Sequence, residues 1–232
     1  MTTTTDTPAR APLSLLLASQ SPRRRRVLGW LGIPFSSTAV DTPEDLNSPL
    51  AARPWLLAES LAAEKAEAVR AQGLDSGSLT LCFDTVVVLD GSVLGKPRDV
   101  DDAWRMLRAL SGRSHEVVTG VALLGPADDE PRTFSVTTDV QMKPLDDDAI
   151  ESWMASGEFM GCAGAYNIEG QVAEVTEDAC FLNVTGLPLC HVHAAMAGIP
   201  NIAGFSDLRA PVAVCDAALQ RTCRLGPRVI AG

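Results

Sequence analysis

At 232 residues the chain is long enough to bury a substantial core, and a single α/β domain suits that length. With 46% hydrophobic and 21% charged residues it has the composition of a soluble globular protein, which argues against disorder and against a membrane protein. Its formal charge of −10 argues against wrapping a nucleic acid polymer, because neutralising phosphates takes a basic face, whereas a small anion needs only a local positive field.

Residues 1–12, rich in Thr, Pro and Ala, read as a disordered leader. The apolar run Leu13–Ala18 is too short to span a bilayer, and its basic residues follow it instead of preceding it as in a signal peptide, so a cytoplasmic location is expected. LSLLLAS reads as a buried strand and SPRRRRVLGWLG as a helix with Ser21 at the N-cap, Pro22 in the first turn and Gly32 as the stop. A strand that turns into a helix N-terminus presents free N–H groups and a positive dipole, which is a phosphate site. Arg23 and Arg24 add donors to that anion, while Arg25 and Arg26 face solvent or partner acids; the competing reading is four arginines on a wet helix face.

The acidic loop Asp41–Arg53 offers a second carboxylate through Asp41 or Glu44. PWLLAESLAAEKAEAVRAQG is a long amphipathic helix, and Lys65 between Glu64 and Glu67 reads as part of a solvated, ion-paired face. CFDTVVVLDGSVLGKP, from Cys82 to Pro97, reads as a β-hairpin turning at Asp90-Gly91. Two registers are open: a two-residue loop sets Lys96 opposite Thr85, and a three-residue loop sets it opposite Asp84. Asp84 is the only charged residue between Leu79 and Leu89; it is either a strand-end aspartate on a wet edge or an acid placed where a ligand approaches.

DVDDAWRMLRALSG then reads as a helix, HEVVTGVALLG and residues 132–141 as strands, and residues 146–156 as a short helix. Strand pairs alternating with helices predict a mixed sheet flanked by helices. The glycine-rich run GEFMGCAGAYNIEG carries Glu169 next to a glycine and reads as tight turns able to approach a ligand. LNVTGLPLCHVHAAMAG gives a strand end and then a helix, in which Cys190–His193 packs into a core rather than binding metal. The six cysteines include no CxxC pair and are expected to be reduced and mostly buried. Residues 201–232 show no clear pattern.

Taken together, LLLASQSPRR, LAAEKA, FDTVVVLDGSVLGKP, LSGRSHEVVTGVAL, the GE…AGAYNIEG block and NVTGLPL resemble the Maf family of nucleoside triphosphate pyrophosphatases, in the family's order, from about Leu13 to about Met196. The resemblance implies a Maf/ITPase-like α/β fold: a long, mixed, twisted sheet flanked by helices, with a central cleft between two lobes spanning residues 13–200, often in a homodimer. It implies hydrolysis of a nucleoside triphosphate to monophosphate and pyrophosphate with a divalent metal, Mg2+ or Mn2+. Asp84 falls at the family's catalytic acid, Ser21, Arg23, Arg24, Lys65 and Lys96 at its phosphate-binding positions, and Arg24, Thr85 and Glu169 at positions associated with choice of base. Asp84 and Asp41 are the metal ligands this implies, and no nucleic acid polymer or membrane is an expected partner.

Three departures stand out: Cys162 replaces the lysine often found before AGAY, Glu169 replaces a glutamine, and the loop near Asp41 lacks the usual Asp-Glu pair. Glutamine gives one hydrogen bond and accepts another, matching uracil or thymine; an ionised glutamate only accepts, which suits the two adjacent donors of guanine. Arg24 and Thr85 look like the branch that acts on dTTP and UTP, Glu169 and Cys162 like the branch that acts on 7-methyl-GTP. Two other functions compete: a nucleotide-binding regulator of septum formation with little turnover, and a nucleotidyltransferase, which would need a second substrate to release pyrophosphate.

Overall fold

The structure, a computed structural model, describes residues 12–75 and 77–232. All of the expected leader except Pro12 therefore lies outside the described residues. In chain order the elements are β1 (Leu15–Ala18), α1 (Pro22–Gly29), β2 (Phe35–Thr38), α2 (Pro54–Ala71), β3 (Leu79–Leu89), β4 (Ser92–Leu94) and α3 (Val100–Leu110). They continue with β5 (Ser114–Leu124), β6 (Arg132–Met142), α4 (Asp147–Met154), β7 (Ala173–Glu174), α5 (Phe181–Val184), α6 (Leu189–Ala197), α7 (Pro211–Leu219) and α8 (Leu225–Ala231).

The strands form one mixed sheet in the order β2-β1-β3-β5-β6-β7, with β4 also on β3. β1 runs parallel to β2 and β3, and the other pairings are antiparallel. Both β1 and β4 use the same edge of β3, opposite β5. β1 ends with Ala18 opposite Cys82, and β4 reaches back only to Leu94 opposite Val87. Among the described residues, Phe83 to Val86 are therefore left without a strand on that edge.

The hairpin settles on the two-residue loop: Leu89 faces Ser92, and Asp90 and Gly91 have φ of 49° and 76°, the pair of positive values that a type I′ turn requires. The register with Lys96 facing Asp84 is not the one formed, and Lys96 lies beyond the last ladder pair. LNV is a turn of helix, α5, rather than a strand end, and the patternless tail contains α7 and α8.

Because successive strand residues point to opposite faces, β3 divides the core. On one face Leu79, Leu81 and Phe83 join a cluster with β1, α1 and α6, whereas Val87 and Leu89 join another with α3 and α4. On the other, Cys82 packs under α2 with Ala62, Ala66 and Val69, and Val86 and Val88 pack with Ala58. Thr85 interrupts the first face and Asp84 the second. The two clusters of the first face are the two lobes, and a polar seam crosses the sheet between them.

Candidate active site

The loop from β1 into α1 is built from serines. Ser19 Oγ accepts from the Ser21 N–H at 3.2 Å, and Ser21, with extended backbone, caps the helix by accepting from the Arg24 N–H at 3.4 Å. No acidic residue occupies the first turn of α1; Arg23 and Arg24 do, at the end where the helix dipole disfavours cations unless an anion is bound. Arg23 reaches across the seam to Cys162 Sγ at 3.1 Å and lies 3.8 Å from Glu158. Arg26, one turn on, pairs with Glu169.

Arg24 turns inward and fills the gap on the β3 edge. It donates to Phe83 O at 3.1 Å, Thr85 Oγ1 at 2.9 Å, Gly186 O at 2.8 Å and Ser19 Oγ at 3.4 Å, so its fork is taken up by four uncharged protein acceptors. Burial is the main cause that lowers its pKa, opposed by Asp84 and Glu44. Thr85 passes the network on to Thr119 at 2.9 Å, and Thr119 donates to the carbonyl of Asn183, whose amide donates to Val117 O, Val136 O and Thr138 Oγ1. Gly186, with φ of 88°, lies so close that a Cβ would be 3.0 Å from Arg24 Nε and 3.1 Å from Thr85 Oγ1.

On the opposite face Asp84, only 3% exposed, is hydrogen-bonded by the buried ammonium of Lys65. Lys65 also donates to Glu44 at 3.2 Å, and Lys96 donates to the same carboxylate at 2.9 Å. The four groups form a chain, Asp84–Lys65–Glu44–Lys96, leading from the buried strand to solvent. Burial by itself would raise the Glu44 carboxyl, but the two lysines hold it below the usual carboxylate range. Asp41, in contrast, is exposed and, among the described residues, accepts only a 3.4 Å bond from Gln20.

Six of the expected residues, Ser21, Arg23, Arg24, Lys65, Asp84 and Thr85, thus gather around the open edge of β3, with Lys96 joined through Glu44. Glu169 stands across the seam on the turn Ile168–Gly170, a turn that Gly170 makes possible because a Cβ there would be 2.4 Å from the Trp153 ring. Lys65 is not on a solvated face. The phase of α2 carries the signal that the local Glu64 and Glu67 obscured: the buried positions are 57, 58, 61, 62, 65, 66 and 69, and Lys65 falls on that stripe. Asn183 and Thr119, which extend the Arg24 network, carried no separate signal in the sequence.

Known proteins similar to this chain point to one family. A family described as Maf-like protein matches residues 14–199. A dTTP/UTP pyrophosphatase of Bacillus velezensis is 42% identical over 78% of this chain and 94% of its own. One of Syntrophomonas wolfei is 43% identical over 78% of this chain and 95% of its own, and one of Anaeromyxobacter dehalogenans 42% identical over 80% and 95%.

Proposed function

Since the chain belongs to the Maf-like protein family, we propose that it hydrolyses nucleoside triphosphates between the α and β phosphorus atoms, with dTTP and UTP, named for its relatives, as the substrate class. The observation that carries this reading is the Asp84–Lys65–Glu44–Lys96 chain beside an arginine-bearing helix N-terminus, next to the Phe83–Val86 stretch that neither β1 nor β4 pairs.

In this mechanism Asp84 takes the proton of the attacking water as it adds to the α-phosphorus. Lys65 holds Asp84 in place through its hydrogen bond, at a position where a carboxylate without a partner would be costly to bury. Attack expels pyrophosphate, and its charge is met by the Arg23 amide at the N-terminus of α1, the Ser21 hydroxyl, and the side chains of Arg23 and Lys96. Arg23 and Lys96 are free to turn to phosphate, one with a sulfur and a distant carboxylate as partners, the other half-exposed. Arg24 has its donors on protein groups and serves by fixing Thr85 at the base side of the seam.

Asp84 and Glu44, brought together by one ammonium, are hard oxygen donors suited to Mg2+ or Mn2+; Glu44 takes the part expected of Asp41. Among the described residues no group of three or more His, Cys, Asp or Glu is assembled for a metal, which fits an ion completed by water and substrate phosphates. Bound there, it would acidify water and neutralise phosphate charge. Glu169 is held by Arg26 through one carboxylate oxygen at the rim of the seam.

On the same reading residues 13–200 are the catalytic unit and 201–232 an appendage. The protein works in the cytoplasm as a homodimer, with no nucleic acid polymer or membrane partner. Among the described residues no helix is long and apolar enough to cross a membrane.

The test is release of pyrophosphate and monophosphate from dTTP, UTP, CTP, GTP and 7-methyl-GTP with Mg2+ or Mn2+, for wild type and Asp84→Asn. Turnover fastest on dTTP and UTP, and lost in the variant while nucleotide binding persists, is the expected result. Binding without turnover in wild type would favour a regulator, and release only with an added acceptor a transferase.

A further inference from the structure

The family match stops at residue 199, so residues 200–232 lie beyond it. Those residues fold back on the domain. Ile202 bridges to Leu13 beside β1, and α7 and α8 pack against α6. Four of the six cysteines meet at this junction: Cys180 and Cys190 from the domain, Cys215 and Cys223 from the appended segment, all lining one cavity. The space between them is about 20 Å³, room for a single water, so it holds no organic ligand.

Two of these thiols differ from the rest in their surroundings. Gly226, near the start of α8, lies between them: a Cβ built there would be 3.2 Å from Cys190 Sγ and 3.5 Å from Cys223 Sγ. Both sulfurs therefore border the same glycine, separated by no more than the sum of those distances. Cys223 is partly exposed and sits in the loop Gln220–Arg224 between two helices, where the backbone can shift to reach disulfide geometry. Its sulfur also accepts from the Gly226 N–H at 3.3 Å, which holds it beside that glycine. Cys190 is buried on α6, and burial pushes its thiol up to about 11. Cys180 and Cys215 are buried too, both pushed up to about 12 by burial. The more accessible thiol, Cys223, is thus the one to meet an oxidant first, and Cys190, beside the same glycine, is near enough to trap the product.

We propose that Cys223 and Cys190 are a paired oxidation site, in which hydrogen peroxide oxidises Cys223 and Cys190 then closes a disulfide that ties the appended segment to α6. In the first step the Cys223 sulfur attacks a peroxide oxygen; the S–O bond forms, the O–O bond breaks, and the other oxygen leaves as water, giving a sulfenic acid. In the second the Cys190 sulfur attacks Cys223 Sγ; the S–S bond forms, the S–O bond breaks, and hydroxide leaves with the thiol proton as water. Sulfur supplies both electrons and peroxide receives them.

The experiment treats the folded full chain with hydrogen peroxide, denatures it in an alkylating agent, and reads alkylated thiols by intact mass and the linkage by peptide mapping. The wild type is expected to fall from six alkylatable thiols to four, with Cys190 joined to Cys223, and to return to six after dithiothreitol. Cys223→Ser, at a partly exposed position that leaves the core intact, is expected to form no cross-link, whereas Cys215→Ser is expected to form it as wild type does. Six thiols persisting in the treated wild type, a different linkage, over-oxidation of Cys223 without a cross-link, or a cross-link in Cys223→Ser would each overturn the proposal.

Discussion

Asp84 and Lys65 are each expensive to bury alone and tolerable together. Their side chains are 5% and 11% exposed, so removing the ammonium strands a carboxylate in the core. Lys65→Met is therefore expected to destabilise the fold by about 3 kcal/mol and to abolish turnover. The double variant Lys65→Met with Asp84→Asn, which leaves no lone charge, should regain much of that loss in urea unfolding while remaining inactive. A double variant no more stable than Lys65→Met would show that the pair is not the source of the effect. At this scale the sequence was informative for Asp84, the lone charge in an apolar strand, because a buried charge has no common structural use. It misled for Lys65, whose neighbours in the chain are acids but whose partners in space are 19 and 21 residues away. Choosing Glu44 over Asp41 required the course of an irregular loop, which no periodicity encodes.

Among the elements, α2 has the tightest fit. Gly120 of β5, the register partner of Asp84, has no side chain because the backbone of α2 occupies that space; a Cβ would be 2.0 Å from Ala58 O. Gly120→Ala must push α2 off the sheet, and with it Lys65 away from Asp84. It is expected to cost more than about 3 kcal/mol, beyond an ordinary overpacking loss, and to lower kcat strongly; stability by denaturant and turnover by pyrophosphate release check both. Element type was readable wherever the pattern was clear, as in α1 with Ser21 and Pro22 at its start, β5 with its apolar run and β6 with the alternation of its second half. Asp90-Gly91 marked the turn but fitted two loop lengths, and only the pairing of Leu89 with Ser92 decides between them. α7 begins at a proline, a start signal, yet at nine residues it lacks enough turns to show a period against its Ala-rich composition.

For the molecule as a whole, acid is the condition to which the core is most exposed. His115 is buried against Tyr166, Nε2 to Oη 2.6 Å, and burial lowers its pKa to about 4 from the ordinary 6.5. Below pH 6.5 the unfolded chain takes up a proton that the folded chain refuses, so stability declines from there down to about pH 4 and this contribution then levels off. Burial lowers His191 and His193 as well, in the same sense. Glu44 acts separately: its lowered carboxyl adds stability above the ordinary 4.5 that is lost only as pH falls through its folded value. At pH 5 the His115 contribution is about 2 kcal/mol, and His115→Gln should flatten the decline of Tm between pH 7 and pH 5. A decline of unchanged slope would assign it to other groups.

β3 also has a mechanical consequence. It runs uninterrupted from one lobe into the other and is bonded to β5 from Thr80 to Val88, so a stiff beam passes beneath the seam. Two bodies mounted on one beam cannot swing apart like jaws without shearing the ladder. Any widening that admits a nucleotide must come from what stands on the beam, where Arg26 with Glu169 and Arg23 with Glu158 join α1 to the turns opposite like fastenings across a slot. The aperture is then adjusted by side chains and turns, while the floor that carries Asp84 and Thr85 keeps its shape.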